Sequence, residues 1–204
     1  MTQNQRELNW KSLIFDNMVL ERGLLLAPVV IMSYTLKNAV ALSFAFAVIT
    51  FITILISSFV PKAIPYTIRV IFNVLLASVV FIPVAMLIDQ IETGLVYKLG
   101  IYLPLLVTNS LIVQKSETRF RKAPSKGKMV LDLLLQMVGF TIVACLVGAI
   151  RELLGRGTLW GYQIGMEIAP AVLLPFAGFM MIAFLSAIVN RIKQEYHPKK
   201  KRRG

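Results

Sequence analysis

The chain has 204 residues, of which 57% are hydrophobic and only 16% are charged. Soluble domains carry about 25% charged residues, and the charges here are gathered into short clusters between long apolar stretches, so a soluble globular protein is excluded. We attribute the net charge of +12 to loops that face anionic lipid headgroups rather than to a nucleic-acid surface.

The first half begins with a polar segment, residues 1–17, which we expect to lie in the cytoplasm. A short apolar segment follows at 24–36 and contains Pro28. Proline removes a backbone donor and clashes with the preceding turn, so the sequence predicts a broken or kinked helix here. The segments 39–60 and 67–88 are each long enough to cross a bilayer core of about 30 Å as a helix.

The second half repeats this order. The short apolar segment 99–113 contains Pro104, Thr108 and Asn109, and we predict a second broken helix. Two long apolar segments, 129–150 and 168–189, come next. The chain closes with a basic segment, 194–204, which we expect to lie near cytoplasmic headgroups.

The repeated order predicts an all-α integral membrane protein with six transmembrane helices, of which the first and fourth are broken. Each repeat, 18–90 and 96–193, has three spans, so the two enter the membrane from opposite sides and form an inverted repeat within one membrane domain, 18–193. Paired interrupted segments point to a site near the midplane. Its candidates are Pro28, Pro104, Thr108 and Asn109.

The loop charges predict the orientation. With six spans, most lysines and arginines fall on the side that holds both termini, and only Lys37, Lys98, Arg151 and Arg156 fall on the other. The positive-inside rule then places both termini in the cytoplasm.

Few residues are candidates for chemistry. Gly-rich phosphate loops, paired cysteine motifs and histidine clusters are absent from the sequence. The single cysteine, Cys145, is interpreted as a small packing residue within the fifth span. Arg151 and Glu152 are predicted to end that span on the outer side, where they would pair with each other or contact a partner chain.

Several stretches resemble a known family, the six-span subunits of the Rnf electron-transport complex and of the related sodium-pumping NADH:quinone reductase, Nqr, of the RnfE and NqrD type. The matching stretches are 100–110 (GIYLPLLVTNS), 148–160 (GAIRELLGRGTLW), 174–179 (LPFAGF) and, more weakly, 25–30 (LLAPVV). The resemblance covers roughly residues 15 to 195. It implies two inverted three-helix repeats, and a pseudo-symmetric pair of subunits that holds a [2Fe-2S] cluster with two cysteines from each.

The sequence departs from the family at the cluster ligands. The family cysteines precede the proline of the first broken helix and follow Thr-Asn in the fourth, and those positions are Ala27 and Ser110 here. Alanine cannot ligate iron, and a serine hydroxyl substitutes poorly for a thiolate. We therefore predict no cofactor and no metal for this chain.

The resemblance predicts a membrane subunit of an Rnf/Nqr-like ion-translocating electron-transport complex in the plasma (inner) membrane of a prokaryote. We expect a non-catalytic subunit of a redox-driven ion pump (a translocase) rather than an enzyme acting alone. Expected partners are membrane lipid, a paralogous six-helix subunit or a second copy, and other redox-complex subunits. The alternative function is a stand-alone or homodimeric transporter or channel for a small solute or ion on the same scaffold.

Overall fold

The computed structural model describes residues 26–59, 64–108, 126–165 and 167–196. These ranges form helices and one small hairpin. The helices are α1 (Leu26–Met32), α2 (Leu36–Ser57), α3 (Tyr66–Ile91), α4 (Leu95–Leu99), α5 (Lys126–Arg156) and α6 (Pro175–Tyr196). Three 3-10 turns lie at Gly100–Tyr102, Pro104–Leu106 and Pro170–Leu173, and the strands β1 (Thr158–Leu159) and β2 (Tyr162–Gln163) pair antiparallel.

Four of the described helices are long and apolar enough to cross a membrane. Their spanning parts are Leu36–Ser57, Tyr66–Ile91, Leu133–Arg156 and Pro175–Ile192. They coincide with the four long apolar segments of the sequence, so the prediction of a multi-pass helical membrane protein is confirmed.

The helix boundaries differ from the predicted apolar segments by up to seven residues, and two of the differences lie around the connection between α5 and α6. α5 continues to Arg156 instead of ending at residue 150. α6 begins at Pro175 rather than at residue 168, because residues 170–173 form a 3-10 turn and Leu174 is extended. A proline at the start of a helix loses no bond, since the first amides of a helix have no acceptor within it.

Both short segments are interrupted. The described part of α1 has seven residues and is about 10 Å long. Its break lies at residues 33–35, where Thr35 adopts extended backbone angles and caps α2 by accepting a hydrogen bond from the amide of Asn38 at 3.3 Å. Pro28 therefore lies inside α1, and the break follows it by several residues.

In the described residues, the second short segment comprises α4 and the two 3-10 turns that follow it. Gly94 and Gly100 flank α4 with φ angles of 80° and 51°, in the left-handed region that glycine adopts readily. Pro104 opens the second of the 3-10 turns. The chain therefore changes direction twice within a dozen residues.

α2 lies at the centre of the bundle, where it packs against α3 and α5. A Cβ atom on Gly148 of α5 would lie 2.9 Å from the Cβ of Ala39, so the glycine lets the two helices approach closely. Further along the same contact, the rings of Phe46 and Phe140 lie 4.2 Å apart between centroids. α1 packs against α2, α6 and the turn Gly100–Tyr102, and α4 packs against α3.

α3 and α6 expose many large apolar side chains. Leu75 and Val79 of α3 are 61% and 65% exposed, and Phe184 of α6 is 66% exposed. A soluble protein rarely leaves apolar patches of this extent in water. The outer faces of α3 and α6 are thus suited to lipid or to neighbouring membrane helices.

Candidate functional site

A buried arginine lies where the first break meets the start of the last helix. Arg151, in α5, is fully enclosed by the protein. Its guanidinium donates hydrogen bonds only to backbone carbonyl oxygens among the described residues. The acceptors are the carbonyl oxygens of Val30, Ser33, Val172, Leu173 and Leu174.

The guanidinium divides its donors between two segments. Nε lies 3.0 Å from the carbonyl oxygen of Val172 and Nη2 lies 2.6 Å from that of Leu173, both in the turn before α6. Nη1 faces the end of α1 and the break after it. The end of a helix carries partial negative charge on its unpaired carbonyl groups, so a cation is favourable there. Arg151 therefore joins the end of α1 to the beginning of α6.

Glu152 directs its carboxylate to a different part of the bundle. Successive residues of a helix point about 100° apart, which separates Glu152 from Arg151. Its Oε2 accepts a hydrogen bond from the amide of Leu36 at 2.7 Å, and its Oε1 accepts one from the amide of Gly161 at 3.0 Å. The hydroxyl of Thr158 donates to the same Oε1 at 3.3 Å.

Glu152 therefore ties the first residue of α2 to the β1–β2 hairpin. A carboxylate is favourable at the start of a helix, where amide groups lack acceptors. Of the two contacts expected for Arg151 and Glu152, a bond between them is not found among the described residues, and a contact with a partner chain stays a prediction. Arg151 is instead bonded to backbone carbonyl groups, and Glu152 to two backbone amides and the hydroxyl of Thr158.

Two glycines allow this close packing. A Cβ on Gly178 of α6 would lie 3.0 Å from the carbonyl oxygen of Val30 and 3.2 Å from Nη1 of Arg151. A Cβ on Gly155, one turn after Arg151, would lie 2.5 Å from Cγ of Leu173. Both positions belong to stretches that carry the family resemblance, and the structure supplies their physical reason.

The residues predicted for a midplane site are distributed differently. Ala27 is half-buried and Pro28 is buried in α1. Pro104 and Thr108 are exposed, and the hydroxyl of Thr108 donates to the carbonyl oxygen of Leu105 at 3.1 Å. Asn109 and Ser110 lie outside the described residues. The two short segments are nevertheless in contact, because α1 packs against the turn Gly100–Tyr102. A functional role of these residues stays a prediction.

Sequence reasoning missed the buried polar groups of α2. Asn38, Ser43, Thr50 and Thr53 are all enclosed on its inner side. The signal was present, because polar residues recur through a segment that is otherwise apolar. Such groups are expensive in a membrane and are often functional.

These features define a class of protein: a multi-pass helical membrane protein, with spanning helices interrupted by short segments and a buried charged junction at one end. The comparisons identify the family. A model of the family described as "Rnf-Nqr subunit, membrane protein" matches residues 6–186, and the chain belongs to this family.

Similar proteins share one description, that of the E subunit of an ion-translocating oxidoreductase complex. The protein of Shewanella loihica is 33% identical to this chain over 97% of the chain and 91% of the relative. That of Shewanella amazonensis is 31% identical over the same shares. That of Shewanella piezotolerans is 36% identical over 76% of the chain and 67% of the relative.

Proposed function

We propose that this chain is a membrane-embedded subunit of an ion-translocating electron-transport complex of the Rnf/Nqr type. One observation carries the proposal: the family match extends over nearly the whole chain, and the similar proteins are described as one subunit of an ion-translocating oxidoreductase complex. The four spanning helices and the interrupted segments suit this role. The chain supplies scaffold rather than an enzyme active site.

The chain does not fit the role of iron–sulfur carrier. Position 27, which the resemblance matches to a cluster ligand of the family, holds the methyl group of an alanine, and the second position matched in this way is Ser110. The one cysteine, Cys145, lies in α5 and belongs to neither broken segment. The described residues hold no group of three or more His, Cys, Asp or Glu side chains that could bind a metal. A cluster with two thiolates from this subunit is incompatible with this donor set.

Six spans in two inverted repeats complete the proposed architecture. Two contacts support it: α2 packs against α5, and α1 contacts the turn Gly100–Tyr102 of the second short segment. In an inverted repeat these are pairs of corresponding segments, which meet across a two-fold axis in the membrane plane.

The proposed setting is the plasma membrane, with both termini in the cytoplasm. A paralogous six-helix subunit is the proposed neighbour, and other subunits of the redox complex and lipid cover the remaining surface. The exposed apolar faces of α3 and α6 suit such neighbours. A second copy of this chain is the competing neighbour.

The proposal is tested by purifying the tagged full chain from its own cells in mild detergent. Mass spectrometry of the co-purifying proteins, iron and acid-labile sulfide content, and the visible absorption spectrum are measured together. We expect flavin-carrying or ferredoxin-like subunits in the preparation, and no iron assigned to this chain after it is separated from them.

Two results would contradict the proposal in different ways. A preparation that contains only this chain, or this chain with a transport ATPase, would favour a transporter or channel. Stoichiometric iron and sulfide in the separated chain would be compatible with a subunit of the complex, but would contradict the prediction that this chain binds no cluster because Ala27 and Ser110 occupy the ligand positions.

A further inference from the structure

Three hydroxyl groups are buried on α2 without a hydrogen-bond partner in the part of the chain that the structure describes. Ser43 is 2% exposed, and Thr50 and Thr53 are fully enclosed. Hydroxyls on the neighbouring helices behave differently. Ser78 of α3 and Thr141 of α5 each donate to the carbonyl oxygen four residues earlier, both at 2.9 Å. Hydroxyl residues in this bundle are therefore not unpaired as a rule.

Two further unpaired polar atoms lie just before α2 and in its first turn. The hydroxyl of Ser33 and the side-chain amide nitrogen of Asn38 are enclosed and lack partners among the described residues. A hydroxyl both donates and accepts, whereas an amide nitrogen only donates. Water is the small partner that satisfies both kinds of group, and leaving them unsatisfied in an apolar interior costs free energy.

The hydroxyls of α2 lie near its contact with α5. Ala39 contacts Gly148 and Phe46 contacts Phe140, which fixes the face of α2 that meets α5. Ser43 and Thr50 lie three residues before and four residues after Phe46, about 40–60° from it around the helix. They therefore belong to the same inner side of α2.

An aromatic pair divides the polar groups in two. Phe46 and Phe140 are both fully buried, their rings lie 4.2 Å apart, and Phe46 lies between Ser43 and Thr50 along α2. Seven residues separate the two hydroxyls, a rise of about 10 Å along the helix. The first polar cluster (Ser33, Asn38 and Ser43) therefore precedes Phe46 along the chain, and the second polar cluster (Thr50 and Thr53) follows it.

We propose that the two polar clusters bind water that enters from opposite sides of the membrane, and that the Phe46–Phe140 pair separates them as a gate. The proposed hydration is inferred from the unpaired groups alone. A role of this water in ion movement rests on the proposed function: if the two rings separate, the hydrated clusters become continuous and offer neutral oxygen ligands to a small hydrated cation. An apolar constriction between hydrated segments blocks ions without a charged barrier.

Thiol reactivity tests the hydration directly. In full-length protein carrying Cys145→Ala and reconstituted in vesicles, Ser43→Cys and Thr50→Cys are treated with a small methanethiosulfonate amine. The matched controls are Ala45→Cys and Ala77→Cys, equally buried positions with apolar side chains. We expect the first two thiols to react at least ~10-fold faster, because the reactive thiolate forms only where water reaches it. Equal, slow rates at all four positions would overturn the proposal.

The gate is tested with a charged reagent that does not cross the bilayer, added to one side at a time. We expect Ser43→Cys to react from one side only and Thr50→Cys from the other only. Adding Phe46→Ala, or the milder Phe46→Leu, should make each thiol reactive from both sides. The control is Phe184→Ala, which changes an exposed ring on α6.

Labelling of both thiols from the same side in the parent background would refute the gate. So would unchanged sidedness in both Phe46 variants, provided that at least one elutes as a folded protein. Neither measurement needs a complex or a redox reaction, so the hydration and the gate can fail while the proposed function stands, and the reverse also holds.

Discussion

The substitution Arg151→Met tests how much the hydrogen bonds of Arg151 contribute to the stability of the bundle. Methionine keeps much of the length of the side chain and loses all of the hydrogen-bond donors. The carbonyl oxygens of Val30, Val172 and Leu173 would then face an apolar side chain in an enclosed space. Each buried acceptor left without a donor costs about 1–3 kcal/mol.

The expected loss is smaller than the sum over those acceptors. Removing the guanidinium also removes the cost of burying its charge, and part of the exposed backbone relaxes. Losses on breaking a buried charged contact are about 3–5 kcal/mol, and we expect a value in that range. Arg151→Lys should lose roughly half as much, because an ammonium group donates from a single point and cannot reach both segments.

The assay is thermal unfolding of the full chain in mild detergent. After heating to each temperature, the fraction of protein that still elutes as a single species in size-exclusion chromatography is measured. A loss of about 3–5 kcal/mol lowers the midpoint by about 6–20 °C for a chain of this size. Arg156→Met on the same helix is the control. Arg156 is exposed and lies over the ring of Tyr34 at 5.4 Å from its centroid, a contact worth about 0.5–1 kcal/mol. An Arg151→Met midpoint equal to that of Arg156→Met would refute the reasoning.

Two further predictions concern the same junction. Gly178→Ala should lower the free energy of unfolding by about 1–3 kcal/mol, because its methyl group would meet a carbonyl oxygen at 3.0 Å. Gly165→Ala, with open space around it, is the control and should leave the melting midpoint unchanged. Similar midpoints for the two variants would contradict the packing argument. Glu152→Gln has one acceptor oxygen where the carboxylate has two, so hydrogen exchange at the amide of Leu36 or in the β1–β2 hairpin should become faster. Glu167→Gln, an exposed change, is the matched control, and equal exchange in both variants would show that the carboxylate does not hold these amides.

The class of the fold could be predicted because the bilayer imposes it. Segments of about 20 apolar residues must form helices there, and all four long segments do. Their ends were harder to predict, since apolar residues such as Ile168 and Leu174 also occur in the connection before α6. Hydrophobicity fixes which residues avoid water but does not fix where a helix begins.

The position of the first break shows a second limit. Pro28 indicated an interruption, yet the chain turns at residues 33–35, where Thr35 caps the next helix. The contacts of Arg151 were beyond sequence reasoning altogether, because its acceptors are backbone atoms and any residue type can supply them. A charged pair of neighbours suggested mutual attraction, whereas helix geometry turns the two side chains apart.

The distribution of the Arg151 acceptors has a consequence for biosynthesis. One group lies about 120 residues before the arginine and the other about 20 residues after it. During synthesis α5 therefore reaches the membrane before the turn at 170–173 has been made, and its guanidinium stays incompletely bonded until that turn and α6 arrive. A nascent chain stopped before residue 170 would keep the acceptors of Val30 and Ser33 but would lack those of Val172, Leu173 and Leu174.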